Sequence, residues 1–140
     1  MAKEFAIQRR VEFAETDMAG IMHFSNFFRY METAEHSFYR FLGIPIHPQK
    51  AGNAIGWPRV HAECDYKHPL RFEDLVEIRL AVIQVKEKSI HYEFNFLRIQ
   101  EQDSTEVAQG KFVVVCVEFD EKQQRFTPKS IPAVIRTKLQ

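Results

Sequence analysis

The apolar residues of this chain change period twice, and that change limits the folds open to it more than composition does. Phe5, Ile7, Val11 and Phe13 alternate with Ala6, Gln8, Glu12 and Ala14, the two-residue period of a half-buried strand. Gly20 marks a loop running from about Glu15 to His23. The period then lengthens. Phe27, Met31, Ala34, Phe38, Phe41 and Leu42 fall on one helical face, while Arg29, Glu32, Thr33, Glu35, His36 and Arg40 fall largely on the others. Ser25 or Asn26 is placed to cap this helix, and Gly43 with Pro45 to end it. At 1.5 Å per residue it is roughly 27 Å long, about the span of a small sheet.

After a Gly- and Pro-containing stretch from Ile44 to Pro58, the period returns to two. Val60, Ala62, Cys64 and Tyr66 alternate with His61, Glu63, Asp65 and Lys67, and strands follow over Val76–Val85, Ile90–Ile99 and Val107–Phe119. Ile90, Tyr92, Phe94 and Phe96 share one face. The run Phe112-Val-Val-Val-Cys-Val is apolar on both faces, which predicts a central strand covered on both sides. Links at Glu73-Asp74, Glu87-Lys88 and Gln102-Asp103-Ser104 suit antiparallel hairpins. The expected fold is an α+β domain spanning residues 1–140, a five-stranded antiparallel sheet wrapped around one long helix.

Charge excludes a general polyanion binder. The 140 residues carry 19 basic and 19 acidic side chains, so no basic excess is available for nucleic acid. The first ten residues lack the apolar core of a secretory signal, and no run approaches the ~20 apolar residues that span a bilayer. Cys64 and Cys116 have neither metal-site nor redox-motif spacing and read as reduced, buried thiols. The expected location is cytoplasmic, with no metal and no separate cofactor.

The stretch from Glu12 to Phe27 carries the chemistry. It sets Asp17 in a loop just before the helix, whose first turn exposes unpaired N–H groups and a partial positive charge. Such a turn is a donor site for a carbonyl oxygen that becomes an oxyanion, and Gly20 lets the backbone turn tightly nearby. An acid beside an oxyanion site suits acyl transfer. Read alone, Asp17 is an ordinary turn residue, His23 a hydrogen-bonded loop histidine, and Lys86 and Lys88 solvated hairpin charges. Glu32 and Glu35 are explained as exposed acids beside Arg29 and His36, and His61 with Glu63 shares a strand face that could line a pocket.

The motif Asp17-x-x-Gly20-x-x-x-Phe24-x-Asn26-Phe27, running into Tyr30-Met-Glu-Thr-Ala, resembles the 4-hydroxybenzoyl-CoA thioesterase branch of the hot-dog superfamily. Cys64-Asp-Tyr-Lys-His-Pro69-x-x-Phe72-x-Asp74 and the hairpin Lys86-Glu-Lys88-Ser agree, and the likeness runs to about Phe126. The resemblance implies acyl-CoA hydrolysis, CoA being part of the substrate. It makes Asp17 the nucleophile or general base and the Phe24 backbone N–H the group that polarises the thioester carbonyl, with His23 and Gly20 beside it. Lys86 and Lys88 match positions that carry cations for the CoA phosphates. It also implies a homodimer or homotetramer, sheets joined edge to edge and active sites at the interface. The sequence departs from the pattern at Glu87, where a further cation is usual, and at His23, where an indole is usual. Competing readings are a hot-dog enoyl-CoA hydratase or dehydratase using Asp17 with His23, and a non-catalytic acyl-CoA binding protein.

Overall fold

The computed structural model describes residues 3–46 and 55–140. Within these residues, eight strands and two α-helices follow in this order: β1 (Lys3–Arg10), α1 (Ser25–Leu42), β2 (Ile55–Gly56), β3 (Arg59–Tyr66), β4 (Leu75–Val85), β5 (Ser89–Gln100), β6 (Asp103–Val115), β7 (Val117–Asp120), β8 (Arg125–Pro128) and α2 (Ala133–Leu139). The main sheet is antiparallel with order β1-β4-β5-β6-β3, as the five-stranded expectation requires. Its alternating residues Val76, Ile78 and Leu80 on β4 and Ile90, Tyr92, Phe94 and Phe96 on β5 are buried against α1. On the helix, Phe27, Met31, Ala34 and Phe38 supply the other half of that core. Gly43 ends α1 in the left-handed conformation, φ 73°, which a side chain would oppose.

Several local expectations change. The central strand is β5, and the apolar run of β6 lies one strand nearer the edge. That run breaks at buried Cys116, where the chain leaves the main sheet and β7 joins β2 and β8 in a three-stranded sheet. The Glu73-Asp74 link is a crossover, since β3 pairs with β6 and β4 pairs with β1. Part of the expected Ile44–Pro58 stretch, residues 47–54, lies outside the described residues. The short helix α2 was not expected; Ile131 and Leu139 anchor it on the core.

The helix also departs from its expected stripe. Phe41, in the last turn, is 70% exposed, whereas Glu35 is 1% exposed. Glu35 follows Met31 by one turn and so shares its side of the helix. Its partner is Arg59, whose guanidinium donates to Glu35 Oε1 at 2.6 Å and stacks 5.0 Å from the centre of the Phe112 ring. Burial outweighs this cation and pushes the Glu35 carboxyl up to about 7. Beneath the helix, a Cβ built on Gly110 would come within 2.5 Å of the Met31 sulfur and 3.2 Å of the Glu63 carbonyl oxygen.

Candidate active site

Beyond β1, a single 3-10 turn, Phe13–Glu15, sends the chain back toward α1. Glu15 holds that turn from both of its ends. Its Oε1 accepts the Tyr30 hydroxyl at 2.7 Å and the Glu12 N–H at 2.8 Å, and its Oε2 pairs with Arg9 at 3.3 Å. Its backbone carbonyl accepts Asn26 Nδ2 at 2.8 Å and the His23 N–H at 2.9 Å. Strand, turn and helix start are thereby joined through one residue. Asn26 is buried for this purpose, which corrects its expected role as a cap.

The loop between closes as a small hairpin. Asp17 N–H donates to Ile21 at 2.9 Å, Gly20 N–H donates to Asp17 at 2.9 Å, and Thr16 bridges Met22. Gly20 has φ 79°, the left-handed turn expected of it. Asp17 is half-buried; its Oδ1 accepts the Ala19 N–H at 2.9 Å, and its Oδ2 has no protein donor among the described residues.

Phe24 is the cap residue of α1, in helical conformation and without a side-chain capping bond, so neither Ser25 nor Asn26 caps the helix. His23 Nδ1 lies 2.8 Å from Ser25 Oγ and 3.3 Å from the Ser25 N–H, which points at it. The His23 N–H is taken by Glu15 and the Ser25 N–H by His23. Between them, the Phe24 N–H donates to no protein acceptor among the described residues. A helix start with a free donor remains.

Asp17 and Phe24 line one cavity of about 480 Å³, with Ile21, Met22, Phe27 and Tyr66 as its apolar walls and Lys67, His68 and Pro69 closing one side. Those last three belong to the β3–β4 crossover, which is fastened beside the loop by Met22 N–H to Leu70 at 2.6 Å. The Tyr66 ring stands edge-on to Phe27, centres 5.0 Å apart, and its hydroxyl donates to the Phe24 carbonyl at 3.2 Å. Burial, helped by Cys64, pushes the Tyr66 phenol up to about 12, so it stays a donor.

The structure therefore brings Asp17, Gly20 and Phe24 together, with the His23 side chain turned to Ser25 and its ring 4.6 Å from that of Phe24. His61 and Glu63 bond to each other at 3.0 Å and do not line the cavity. Lys86 and Lys88 lie at the other end of the sheet: Arg10 pairs with Leu75 at the loop end of β4, and Val85 pairs with Ile90 at the far end. At ~3.3 Å per residue, that separates Lys86 from Leu75 by roughly 35 Å. Sequence reasoning missed Glu15 and Tyr66. The only advance signal for Glu15 was its spacing from Glu12, since its partners come from β1 and α1. Among the described residues there is no cluster of three or more His, Cys, Asp or Glu side chains suited to a metal, and no helix long and apolar enough to cross a membrane.

Comparison with known proteins extends the picture. The family described as Thioesterase-like superfamily matches residues 11–139. The chain is 36% identical over 107 residues to the 1,4-dihydroxy-2-naphthoyl-CoA hydrolase of Prochlorococcus marinus (strain NATL1A), covering 71% of each chain. A gentisyl-coenzyme A thioesterase of known structure is 31% identical, with a TM-score of 0.78 and coverage of 96% of this chain and 98% of that one. A 4-hydroxybenzoyl CoA thioesterase mutant, complexed with 4-hydroxybenzoyl CoA, superposes with a TM-score of 0.88 over 98% of this chain and 99% of that one. At 20% identity this last likeness speaks for the fold, which is the hot-dog fold.

Proposed function

The chain belongs to the Thioesterase-like superfamily and is a thioester hydrolase, and from that premise we propose that it cleaves an acyl-CoA to free acid and CoA with Asp17 as the catalytic carboxylate. One observation carries the reading: a half-buried carboxylate with a free Oδ2 shares a mostly apolar cavity with Phe24, whose N–H is unpartnered at the helix start.

The acyl group occupies the apolar walls, and its carbonyl oxygen accepts the Phe24 N–H. As a base, Asp17 takes a proton from a water whose oxygen bonds the carbonyl carbon. As a nucleophile, it bonds that carbon itself, and water then opens the mixed anhydride. In either route the C–S bond breaks, the electron pair leaves on the CoA sulfur, and the thiolate takes a proton. Negative charge on the carbonyl oxygen meets the Phe24 N–H and the positive end of the α1 dipole, where donors fixed beforehand are worth most. The thioesterase reading is favoured over the Asp–His hydratase reading by the relatives, while His23 holds Ser25 through Nδ1.

Lys86 and Lys88 serve as the CoA phosphate cations in this reading. Both are exposed and neither has an acidic partner within ion-pair distance among the described residues. Both lie at the end of β4 opposite the one nearest the Asp17 loop, so in this reading each site uses the lysines of a second subunit. The edge strand β3, paired among the described residues with β6 alone and with Val60 61% exposed, supplies the joining edge of a homodimer or homotetramer in this reading. A cytoplasmic location completes the reading. Thiol release from a panel of aromatic, short aliphatic and fatty acyl-CoA esters tests it; no release above buffer from any of them defeats it.

A further inference from the structure

The β4–β5 hairpin that carries Lys86 and Lys88 is held by the C-terminal segment of the chain, and the bonds are numerous for so short a turn. Arg136, on α2, donates from Nη2 to the carbonyls of both Lys86, at 2.8 Å, and Glu87, at 3.0 Å. Ile131 N–H donates to the same Glu87 carbonyl at 2.9 Å, Cys116 N–H donates to the Lys88 carbonyl at 2.7 Å, and the Ser130 hydroxyl donates to Glu87 Oε1 at 3.0 Å. Two successive carbonyls, of Lys86 and Glu87, are thus turned toward the C-terminal segment and the Lys88 carbonyl toward the β6–β7 break, while the two lysine side chains stay exposed.

We propose that Arg136 is a CoA-recognition residue, acting both as the third cation of the phosphate site and as the group that sets the hairpin for Lys86 and Lys88. The inference rests on the acyl-CoA reading above and extends it to α2. Two observations support it. Arg136 spends one nitrogen on the hairpin; its Nη1 and Nε donors meet no protein acceptor among the described residues, and no carboxylate lies within ion-pair distance. A half-exposed guanidinium with its remaining donors open beside two unpaired lysines suits the phosphate oxygens of CoA. The second is compensatory. Position 87, where the family resemblance expects a cation, holds Glu87, whose carboxylate is turned to Ser130 while the Arg136 guanidinium stands against its carbonyl. The positive charge missing from the hairpin sequence is returned by the helix.

Arg136→Ala and Arg136→Lys, each compared with the parent and with Lys86→Ala/Lys88→Ala, test this by steady-state kinetics. The substrates are the best acyl-CoA and the same acyl group on pantetheine, which lacks the phosphates. Arg136→Ala should raise KM for acyl-CoA by about tenfold with kcat within about twofold, and should leave kcat/KM for the acyl-pantetheine unchanged. Arg136→Lys, which keeps the charge and loses the two-carbonyl fork, should fall between and serves if the alanine variant does not fold. Equal losses on both substrates, or an unchanged KM for acyl-CoA, overturn the proposal. If the double lysine variant shifts KM and Arg136→Ala does not, this inference alone fails. If the parent releases no thiol, calorimetric titration with CoA still decides it: parent and Arg136→Ala binding alike overturns the role of Arg136.

Discussion

The Tyr30 hydroxyl sits 2.7 Å from the Glu15 carboxylate, and that bond links the first turns of α1 to the loop that carries Asp17. The Arg9 guanidinium lies 4.3 Å from the centre of the Tyr30 ring and pairs with the same carboxylate, so a cation, a phenol and an acid from three segments fix one corner. Burial, with Glu15 beside it, raises the Tyr30 phenol well above its usual range, so it remains the donor at any working pH.

Tyr30→Phe removes only that donor. The expected cost is roughly 1.5–3 kcal/mol of stability, the range for a hydrogen bond to a charged group. A larger fractional loss in kcat than in KM should accompany it, since the loop, not the cavity walls, is loosened. Urea melts and acyl-CoA kinetics measure the two; a stability loss with unchanged kcat would detach the corner from catalysis.

Asp17→Asn keeps the side-chain shape and removes its basicity. The kcat for the best thioester should fall at least ~100-fold, as for loss of an acid–base group. Binding of an unreactive acyl-CoA analogue should persist, because Phe24 and the apolar walls remain. His23→Ala should cost much less, given that its ring nitrogen faces Ser25. A folded Asp17→Asn protein turning over at the parent rate would remove the carboxylate from the mechanism.

If the lysine hairpin of one subunit serves the Asp17 of another, two impaired variants should rescue each other. Asp17→Asn mixed with Lys86→Ala/Lys88→Ala, after dissociation and reassociation, forms mixed dimers in which one of the two sites has both parts intact. Thiol release at low acyl-CoA should rise clearly above that of either variant alone. No rise, despite mixed dimers seen by mass spectrometry, would place each site within one chain.

Glu35 gives a pH signature. Its carboxyl is raised from 4.5 to about 7, so between those values the folded protein binds more protons at this position than the unfolded chain does. Stability from this group is fully present below about pH 4.5 and is lost as pH rises to about 7. Melts of the parent and of Glu35→Gln across that window should therefore converge or cross as pH rises, the parent losing ground. Parallel curves would show that the acid does not titrate there.

Much of the fold was legible because its signals are local. Period two and period 3.6 are written into neighbouring residues, and Gly20 and Gly43 mark the turns that need them. The Asp17 loop was legible for a different reason, since its motif is contiguous. What escaped notice depends on partners distant in sequence. Glu35 looks like any exposed helix acid until Arg59 arrives from β3, and Tyr66 looks like a strand residue until the sheet carries it to Phe24. The crossover at Glu73-Asp74 was mistaken for a hairpin because loop composition records a turn but not which strands it joins.

Gly110 sets a dimension rather than a contact. With hydrogen in place of a methyl, β6 lets the end of the Met31 side chain descend to the backbone in the layer between helix and sheet. Phe27, one turn before Met31, rides on the same layer and forms a wall of the Asp17 cavity. Position 110 therefore works as a shim. Any side chain placed there lifts the helix unless Met31 yields, and the cavity widens or tilts without a change to any residue that lines it.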